Sequence, residues 1–309
     1  MSDERRLIDS LRALARNPAA RGLADDAAVL AAPLGRDIVL THDMLVEGVH
    51  YLPGDPAGDV AWKLLAVNLS DLAAKGAEPL GVLMGYGLAG DAAWDAAFVA
   101  GLGRALDHFG VPLFGGDTVA QPRGDARVLG LTALGQARPG GAPDRRGAKP
   151  GDLLFVTGAI GDAGLGLRIA RGALDGPRRL LKAYRLPMPR LAEGRALAPL
   201  AHAMADVSDG LLIDAGRIAA ASGLAVSIDL DAVPLSAEAR GFGEDRTARL
   251  AAATAGDDYE LILAVPPEAR GAAAAHAAEI GRFDVGSGVH VHDRDGAVPL
   301  PDRLGFEHG

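Results

Sequence analysis

The chain has no cysteine. That absence removes disulfides, thiolate metal sites and cysteine nucleophiles together, so any metal must sit on oxygen or imidazole. Aromatic residues are only 4% of the sequence while Gly occurs 42 times, which favours close packing of helices on sheets over a core of large rings. Basic clusters are missing too. The formal net charge is -9 and Arg is scattered, whereas a nucleic-acid surface needs Lys and Arg gathered to neutralise phosphates. No apolar run approaches the length of a membrane span, and the opening MSDERRLIDSL is charged and amphipathic where a secretory leader would be apolar. These absences lead us to expect a cytoplasmic protein with neither a nucleic-acid nor a membrane partner.

What is present is a mixed strand and helix grammar over 309 residues, enough for two domains of ordinary size. Between Arg138 and Gly151 the composition shifts to Pro, Gly and Arg, which marks a boundary. We therefore expect domains over 1–137 and 138–309. The first carries an amphipathic helix over Glu4–Arg16 and a strand over Ile38–Leu40 that ends in Thr41, His42 and Asp43. A buried helix follows within Asp59–Gly81, with Asn68, Asp71 and Lys75 as a polar stripe at i, i+3 and i+7. Next come a strand over Pro79–Gly87, a helix over Asp91–Phe109, a short strand stopping at Gly115, Gly116 and Asp117, and a strand over Arg127–Gly135.

The second domain opens with a strand over Leu153–Thr157 and the glycine-rich GAIGDAG. Its spacing matches neither the P-loop nor the dinucleotide fingerprint, so it reads as turn chemistry before phosphate cradling. Helices are expected over Leu165–Arg171, Arg178–Tyr184 and Arg190–Leu200. A strand ends at Asp206 and a helix opens with Ser208 and Asp209. After the strand LAVSIDL come a helix over Arg246–Ala253, Gly256, Asp257 and Asp258 before another strand, a helix over Pro267–Glu279, and short strands near Val285 and Val289.

Acids recur at element ends: Asp25, Asp43, Asp117, Asp206 and Asp257. Each has a local explanation. Asp71 can pair with Lys75, Ser208 or Asp209 can cap a helix, and Asp257 can hold a turn. Taken together they point elsewhere, because α/β architectures gather their loops into a ligand crevice. Each converging pair of carboxylates at 4 Å would cost about 4 kcal/mol at an effective dielectric of 20, so cations must compensate. Mg²⁺ suits a sulfur-free oxygen donor set, and it commonly joins carboxylates to nucleotide phosphates. The residues thus indicate phosphoryl or nucleotidyl transfer, or phosphate hydrolysis, without a Walker loop.

The ordered segments DDAAVL, THDMLVEGVHY, NLSDLAAKGAEPLG, GGDT, GAKPGD, DVSDGL and GDDYEL resemble the aminoimidazole ribonucleotide synthetase-like superfamily and, within it, the thiamine-monophosphate kinases. The resemblance runs from about Gly22 to Tyr259. It implies an α/β (α+β) fold of two domains, with an N-terminal sheet that pairs across a homodimer and a C-terminal α/β domain. It also implies ATP-dependent phosphorylation of thiamine phosphate to thiamine diphosphate, the last step in making that cofactor, by direct in-line transfer with Mg²⁺. Carried over by residue, Asp25, Asp43, Asp71, Asp117 and Asp206 would be Mg²⁺ ligands, Asp209 would hold a further ion and Thr41 would add an oxygen. Asp43, Asp71 and Asp117 would carry the catalysis. Gly116, Asp117, Arg145 and Ser208 would lie beside ATP, and His50 and Asp257 would face thiamine phosphate. No general base is assigned, because transfer between anionic phosphates needs neutralisation and alignment more than a strong base.

The sequence departs from that family's pattern at several positions. Ala24 replaces a Gly, His42 stands where Ser or Thr commonly precedes the acid, and Asp257-Asp258 replaces Glu-Asp. Arg303 occupies the substrate-side position where an aromatic ring often packs, with Phe306 the nearest ring. Two superfamily relatives, selenide water dikinase and the hydrogenase maturation protein, would need a reactive Cys or selenocysteine that this chain lacks. The ring-closing synthetase is the reserve enzymatic reading. From another class, a nucleotide-binding regulatory module is disfavoured by so many mutually repelling carboxylates.

Overall fold

A computed structural model of the chain describes residues 3–23, 27–28, 30–31, 34–122 and 124–307. The chain forms two compact units, Met1–Leu72 with Glu78–Pro139, and Ala73–Ala77 with Gly140–Gly309.

The first unit comprises α1 (Asp3–Arg12), β1 (Ile38–Val46), α2 (Ala57–Ala73), β2 (Glu78–Leu88), α3 (Ala92–Phe109), β3 (Leu113–Ala120) and β4 (Val128–Gln136). Its sheet has the order β1-β4-β2-β3, antiparallel except for the parallel pair β2 and β3. One face is covered by helices. Leu64, Leu65, Leu69 and Leu72 of α2 are fully buried, as are Val82, Leu129, Leu131 and Ala133 of the sheet. Helix α3 begins where the Asp91 carboxylate accepts from Trp94 N at 3.1 Å and ends at Gly110, which takes φ 66. On the other face the β1 end is exposed among the described residues. On β1, Ile38, Leu40 and Met44 are exposed although apolar, and Leu83 and Val128 join them from β2 and β4.

Several boundaries differ from the sequence expectation. Helix α1 stops at Arg12 rather than Arg16, since the chain turns at Ala13 and Leu14 and Pro18 follows. Helix α2 stops at Ala73, just before Gly76 at φ 58. Lys75 therefore lies beyond the helix, where its ammonium donates to the carbonyls of Pro143 at 3.2 Å and Met204 at 3.4 Å. The polar stripe ends at Asp71. Strand β1 does not end in Thr41, His42 and Asp43 but continues to Val46, because β4 pairs with it residue by residue from Ile38 to Val46. Strand β3 likewise continues through Gly115, Gly116 and Asp117, paired to β2. Its glycines permit close strand approach, for a Cβ on Gly116 would sit 1.9 Å from the Met84 carbonyl oxygen.

The second unit comprises β5 (Leu153–Val156), α4 (Asp162–Ala170), α5 (Arg178–Arg185), α6 (Leu191–Leu197), β6 (Ala203–Asp206), α7 (Leu211–Ser222), β7 (Leu224–Asp229) and α8 (Ala237–Arg240). It continues with α9 (Arg246–Ala253), β8 (Leu261–Val265), α10 (Arg270–Ala273), β9 (Ala278–Val285), β10 (Gly288–Asp293) and β11 (Gly296–Val298). The seven-stranded sheet has the order β11-β10-β7-β9-β5-β8-β6. Both of its faces are covered, which is why β8 reads LILAV without a polar residue. Ile262 and Ala264 pack with α7 residues Leu211, Leu212, Ala215 and Ile218. Leu261, Leu263 and Val265 pack on the opposite side with Leu197 and Ala273.

Here too, local signals are overridden. The helix expected over Pro267–Glu279 is a 3₁₀ turn over Pro267–Ala269 and the single turn of α10. Ala278 and Glu279 already belong to β9, paired with Val156 and Phe155 of β5. Strand pairing thus outweighs the helix propensity of an Ala-rich stretch. Helix α4 starts at Asp162, three residues ahead of Leu165, and α7 starts at Leu211, after Ser208 and Asp209. Among the described residues no helix is long and apolar enough to cross a membrane.

Candidate active site

Two expected residues, Thr41 and Asp43, sit two apart on β1 and so share a face. That face meets α2, whose Asn68 and Asp71 point back at it. The Thr41 hydroxyl donates to the Asp71 carboxylate. The backbone N–H of Asp43 donates to Asn68 Oδ1 at 3.1 Å, while Asn68 Nδ2 returns to the Leu64 carbonyl at 2.9 Å. Asn68 is fully buried and all its polar capacity shown here goes into holding strand to helix. Burial pushes the Asp43 carboxyl up to about 6, and the charge of Asp71 adds to that shift. The charges of Asp43 and Asp71 repel each other.

Asp117 is placed differently. It pairs with Gly85, which pairs with Gly130, and Gly130 pairs with Met44 on the open face; Asp43 instead lines up with Leu131 and Met84 on the helix-covered face. Register thus puts Asp117 on the other side of the sheet from Asp43. There Asp117 is exposed, its carboxylate accepting from Thr118 N at 2.9 Å. It lines a cavity of about 600 Å³ with Gly115, Gly116, Thr118, Leu83 and Thr132. His42 shares that face: Nδ1 lies 2.8 Å from the Thr132 hydroxyl, so its side chain points away from Asp43 and Asp71. His50 follows β1 in a turn. The N–H of Val46 donates to its Nδ1 at 3.0 Å, and its carbonyl accepts from the buried Lys63 ammonium at 2.9 Å. A ring whose Nδ1 accepts carries its proton on Nε2.

In the second unit, β6 delivers the buried Asp206 to a loop that precedes α7. Neither Ser208 nor Asp209 caps that helix. The acceptor is Asp214, one turn inside it, whose Oδ2 takes the N–H groups of Ser208, Asp209 and Gly210 at 3.1, 3.0 and 3.2 Å. Burial raises the Asp214 carboxyl from its ordinary value against the pull of those N–H donors and Arg217. Arg217 bridges the loop to the helix, reaching Asp209 at 2.5 Å and Asp214 at 2.6 Å. Any cation at Asp209 would share the carboxylate with this guanidinium.

The loop before β8 runs against the same segment. Asp257 N donates to the Ser208 carbonyl and Tyr259 N to the Val207 carbonyl, both at 2.8 Å. Asp257 and Tyr259 take φ 71 and 51, and the Tyr259 hydroxyl donates to Asp257 at 3.0 Å. Non-glycine residues in the left-handed region cost energy that the surroundings must supply. Between them, Asp258 accepts from Gly161 N at 2.7 Å and Ala163 N at 3.2 Å, which answers the glycine-rich turn: its free N–H groups are taken by a carboxylate of the chain. Burial sets the Asp258 carboxyl well above the usual range. The C-terminal segment reaches the site through Phe306, whose N–H donates to the Asp209 carbonyl at 2.8 Å. Arg303 and Arg145 are exposed, and the Arg145 carbonyl accepts from Ser222 at 3.3 Å.

Ala24 and Asp25 lie outside the described residues. Among the described residues no three His, Asp or Glu side chains gather as a metal-ligand set. Within the first unit Asp43 and Asp71 share one face of the sheet and Asp117 lies on the other; within the second, Arg217 joins Asp209 to Asp214. The sequence reading missed Asp214, Arg217 and Asp258. Asp214 carries the weak signal of an acid in the first turn of a helix, and Asp258 that of an acidic doublet with two separate jobs.

Models described as AIR synthase related protein, N-terminal domain and C-terminal domain, match residues 24–137 and 149–294. The chain is therefore an AIR synthase-related protein. A thiamine-monophosphate kinase of Caulobacter vibrioides is 43% identical over 97% of this chain and 88% of its own length. The crystal structure of thiamine-monophosphate kinase from Stenotrophomonas maltophilia has a TM-score of 0.82 at 38% identity, covering 92% of this chain and 94% of that one. AaThiL complexed with AMPPCP and TMP has a TM-score of 0.79 at 28% identity, covering 97% and 96%. The chain belongs to the thiamine-monophosphate kinase family.

Proposed function

We propose that the protein transfers the γ-phosphoryl group of ATP to thiamine phosphate, giving thiamine diphosphate. The observation that carries this reading is the close pair of carboxylates Asp43 and Asp71, held between strand and helix in a chain 43% identical to a thiamine-monophosphate kinase. The solved relative bound to AMPPCP, an ATP analogue, together with TMP supports the same pair of substrates.

The donor set fits Mg²⁺: hard oxygens of Thr41, Asp43 and Asp71, with a carboxyl at Asp43 that ionises near neutral pH and gains from a neighbouring cation. Bound there, Mg²⁺ would supply charge neutralisation for the transferring phosphoryl group. The chain supplies the rest. Asn68 fixes the strand position of Asp43 and Thr41 orients one oxygen of Asp71, while on the opposite face of the sheet the cavity lined by Gly115, Gly116 and Asp117 would take phosphates. In the second unit, Ser208 and Asp257 sit on adjacent loops, and we assign them to ATP and thiamine phosphate with Asp206 and Asp209 as further cation ligands. His50 would offer its Nε2 proton to the substrate phosphate, and Arg145 its guanidinium to ATP. Asp25 and Arg303 keep their family roles of metal ligand and substrate-side residue within this proposal. We place the reaction in the cytoplasm, where ATP is made available.

The domain assignment follows, with 1–137 for ATP, Mg²⁺ and pairing and 138–309 as the C-terminal α/β domain. Pairing into a homodimer is supported by the open face of the first sheet, where Ile38, Leu40 and Met44 are exposed. The test is direct: purified protein, ATP, Mg²⁺ and thiamine phosphate, with thiamine diphosphate followed by chromatography. Product that needs the metal and disappears with EDTA and in Asp117→Asn supports the reading. ATP bound without product would overturn it.

A further inference from the structure

Three side chains of the second unit that none of these roles uses form a chain of hydrogen bonds. The segment Lys149-Pro150-Gly151-Asp152 is a tight turn, with Gly151 at φ 91 and Asp152 N donating to the Lys149 carbonyl at 3.1 Å. The turn brings Asp152 back beneath Lys149, whose N–H donates to the Asp152 carboxylate at 2.8 Å. Asp152 is 2% exposed. Its carboxylate also lies 2.9 and 3.0 Å from His202 Nδ1. A carboxylate accepts, so Nδ1 faces it as the donor and Nε2 is the ring nitrogen turned toward Lys149. Lys149 Nζ lies 3.3 Å from that Nε2. The arrangement is anchored in the sheet, since His202 N donates to the Ala264 carbonyl at 2.8 Å and Phe283 N to the Asp152 carbonyl at 2.7 Å.

An acid, an imidazole and an exposed amine in this order form the relay that activates a nucleophile. We propose that Lys149 is a modification site, acylated on Nζ by small acyl phosphates with His202 as the base. Nε2 of His202 takes a proton from the ammonium, leaving a free amine. The amine attacks the acyl carbon, an amide N–C bond forms, and the C–O bond to phosphate breaks with its electron pair. The proton shed by the new amide nitrogen leaves on the phosphate, and His202 returns its proton to water. Arg145, exposed on the same segment, favours an anionic donor.

The other lysines supply the control. Lys63 is buried and Lys75 is held by two carbonyls, but Lys182 on α5 is exposed and has no base hydrogen-bonded to it among the described residues. The full chain would be incubated with acetyl phosphate, without ATP, and acetylation mapped by peptide mass spectrometry. Lys149 is expected to react about tenfold or more faster than Lys182, a small part of what a positioned base can contribute. The ratio should fall to near one in urea, where the relay is lost, and in folded His202→Gln. Equal rates in the native protein overturn the proposal. So does a preference for Lys149 that survives urea, because it would then come from local sequence and not from His202.

Discussion

Thr41 on β1 donates its hydroxyl to the carboxylate of Asp71 on α2. With Asn68 bonded to the Asp43 backbone, this contact ties a strand to a helix by polar groups in an otherwise apolar layer. The two acids owe their separation to packing between elements, so they are positioned before any ligand arrives. Preorganised charge of this kind is what phosphoryl transfer demands of a protein, since the attacking phosphate needs little chemical activation.

Replacing Asp71 by Asn keeps an acceptor for Thr41 and removes the charge. Turnover in Asp71→Asn should fall by about 100- to 1,000-fold or more, the range seen when one electrostatic contact to a transition state is lost. Melting temperature should stay near wild type. Steady-state kinetics beside calorimetry checks both, and a large melting loss with modest kinetic change would make Asp71 a packing residue instead. Asp117→Asn should show the same kinetic loss with even less effect on stability, because Asp117 is exposed.

The raised carboxyl of Asp43 makes a pH prediction. It titrates at 3.8 in an unfolded chain and at about 6 in the folded one, so between those values the folded state holds the extra proton. Stability from this group is therefore highest below pH 4, falls as pH rises to about 6, and stays lost above. The loss is on the order of 2 kcal/mol once partial solvent exposure is discounted. In EDTA, Asp43→Asn should melt a few degrees above wild type at pH 7.5 and level with it near pH 4. Mg²⁺ at pH 7.5 should raise the melting temperature of wild type more than that of Asp43→Asn. Identical pH profiles for the two proteins would contradict the placement of Asp43.

Much of this was legible in the sequence. The helical spacing of Leu64, Leu65 and Leu72 located α2, and the apolar run Ile38–Leu40 located the strand that carries Thr41 and Asp43. Strand ends were less legible. An acid or a Gly-Gly pair looks like a stop when read locally, yet β4 and β2 carry β1 and β3 straight through. Register is the deeper reason that the acids were expected in one group. Which face of the sheet Asp117 occupies depends on its pairing with Gly85, and a one-residue slip would reverse it. Asp214 was invisible for a similar cause: three N–H groups converge on it only after the loop folds back over the helix start.

Asp258 should matter through shape. It closes the start of α4 by accepting two backbone N–H groups, and it sits between two residues with positive φ. Asp258→Ala should destabilise by about 1–2 kcal/mol, as other lost helix caps do, and should raise KM for thiamine phosphate because Asp257 is no longer held. Asp258→Asn, which still offers an oxygen, should recover most of both. Chemical denaturation and substrate titration measure them separately. Full activity in Asp258→Ala would show that Asp257 keeps its place without this support.

The open face of the first sheet gives the last prediction. Strands exposed to water on one face normally alternate apolar and polar residues. On β1 the outward positions are Ile38, Leu40, His42 and Met44, and Met44 stands opposite Gly130 on β4, leaving a flat apolar surface. A second copy is the partner that the proposed homodimer requires, and burying these side chains there would contribute about 25 cal/mol per Å² of apolar area. Leu40→Glu with Met44→Lys should therefore give a monomer by light scattering at micromolar concentration, while circular dichroism stays that of the wild type. If wild type is itself monomeric under those conditions, the apolar face serves something other than self-association.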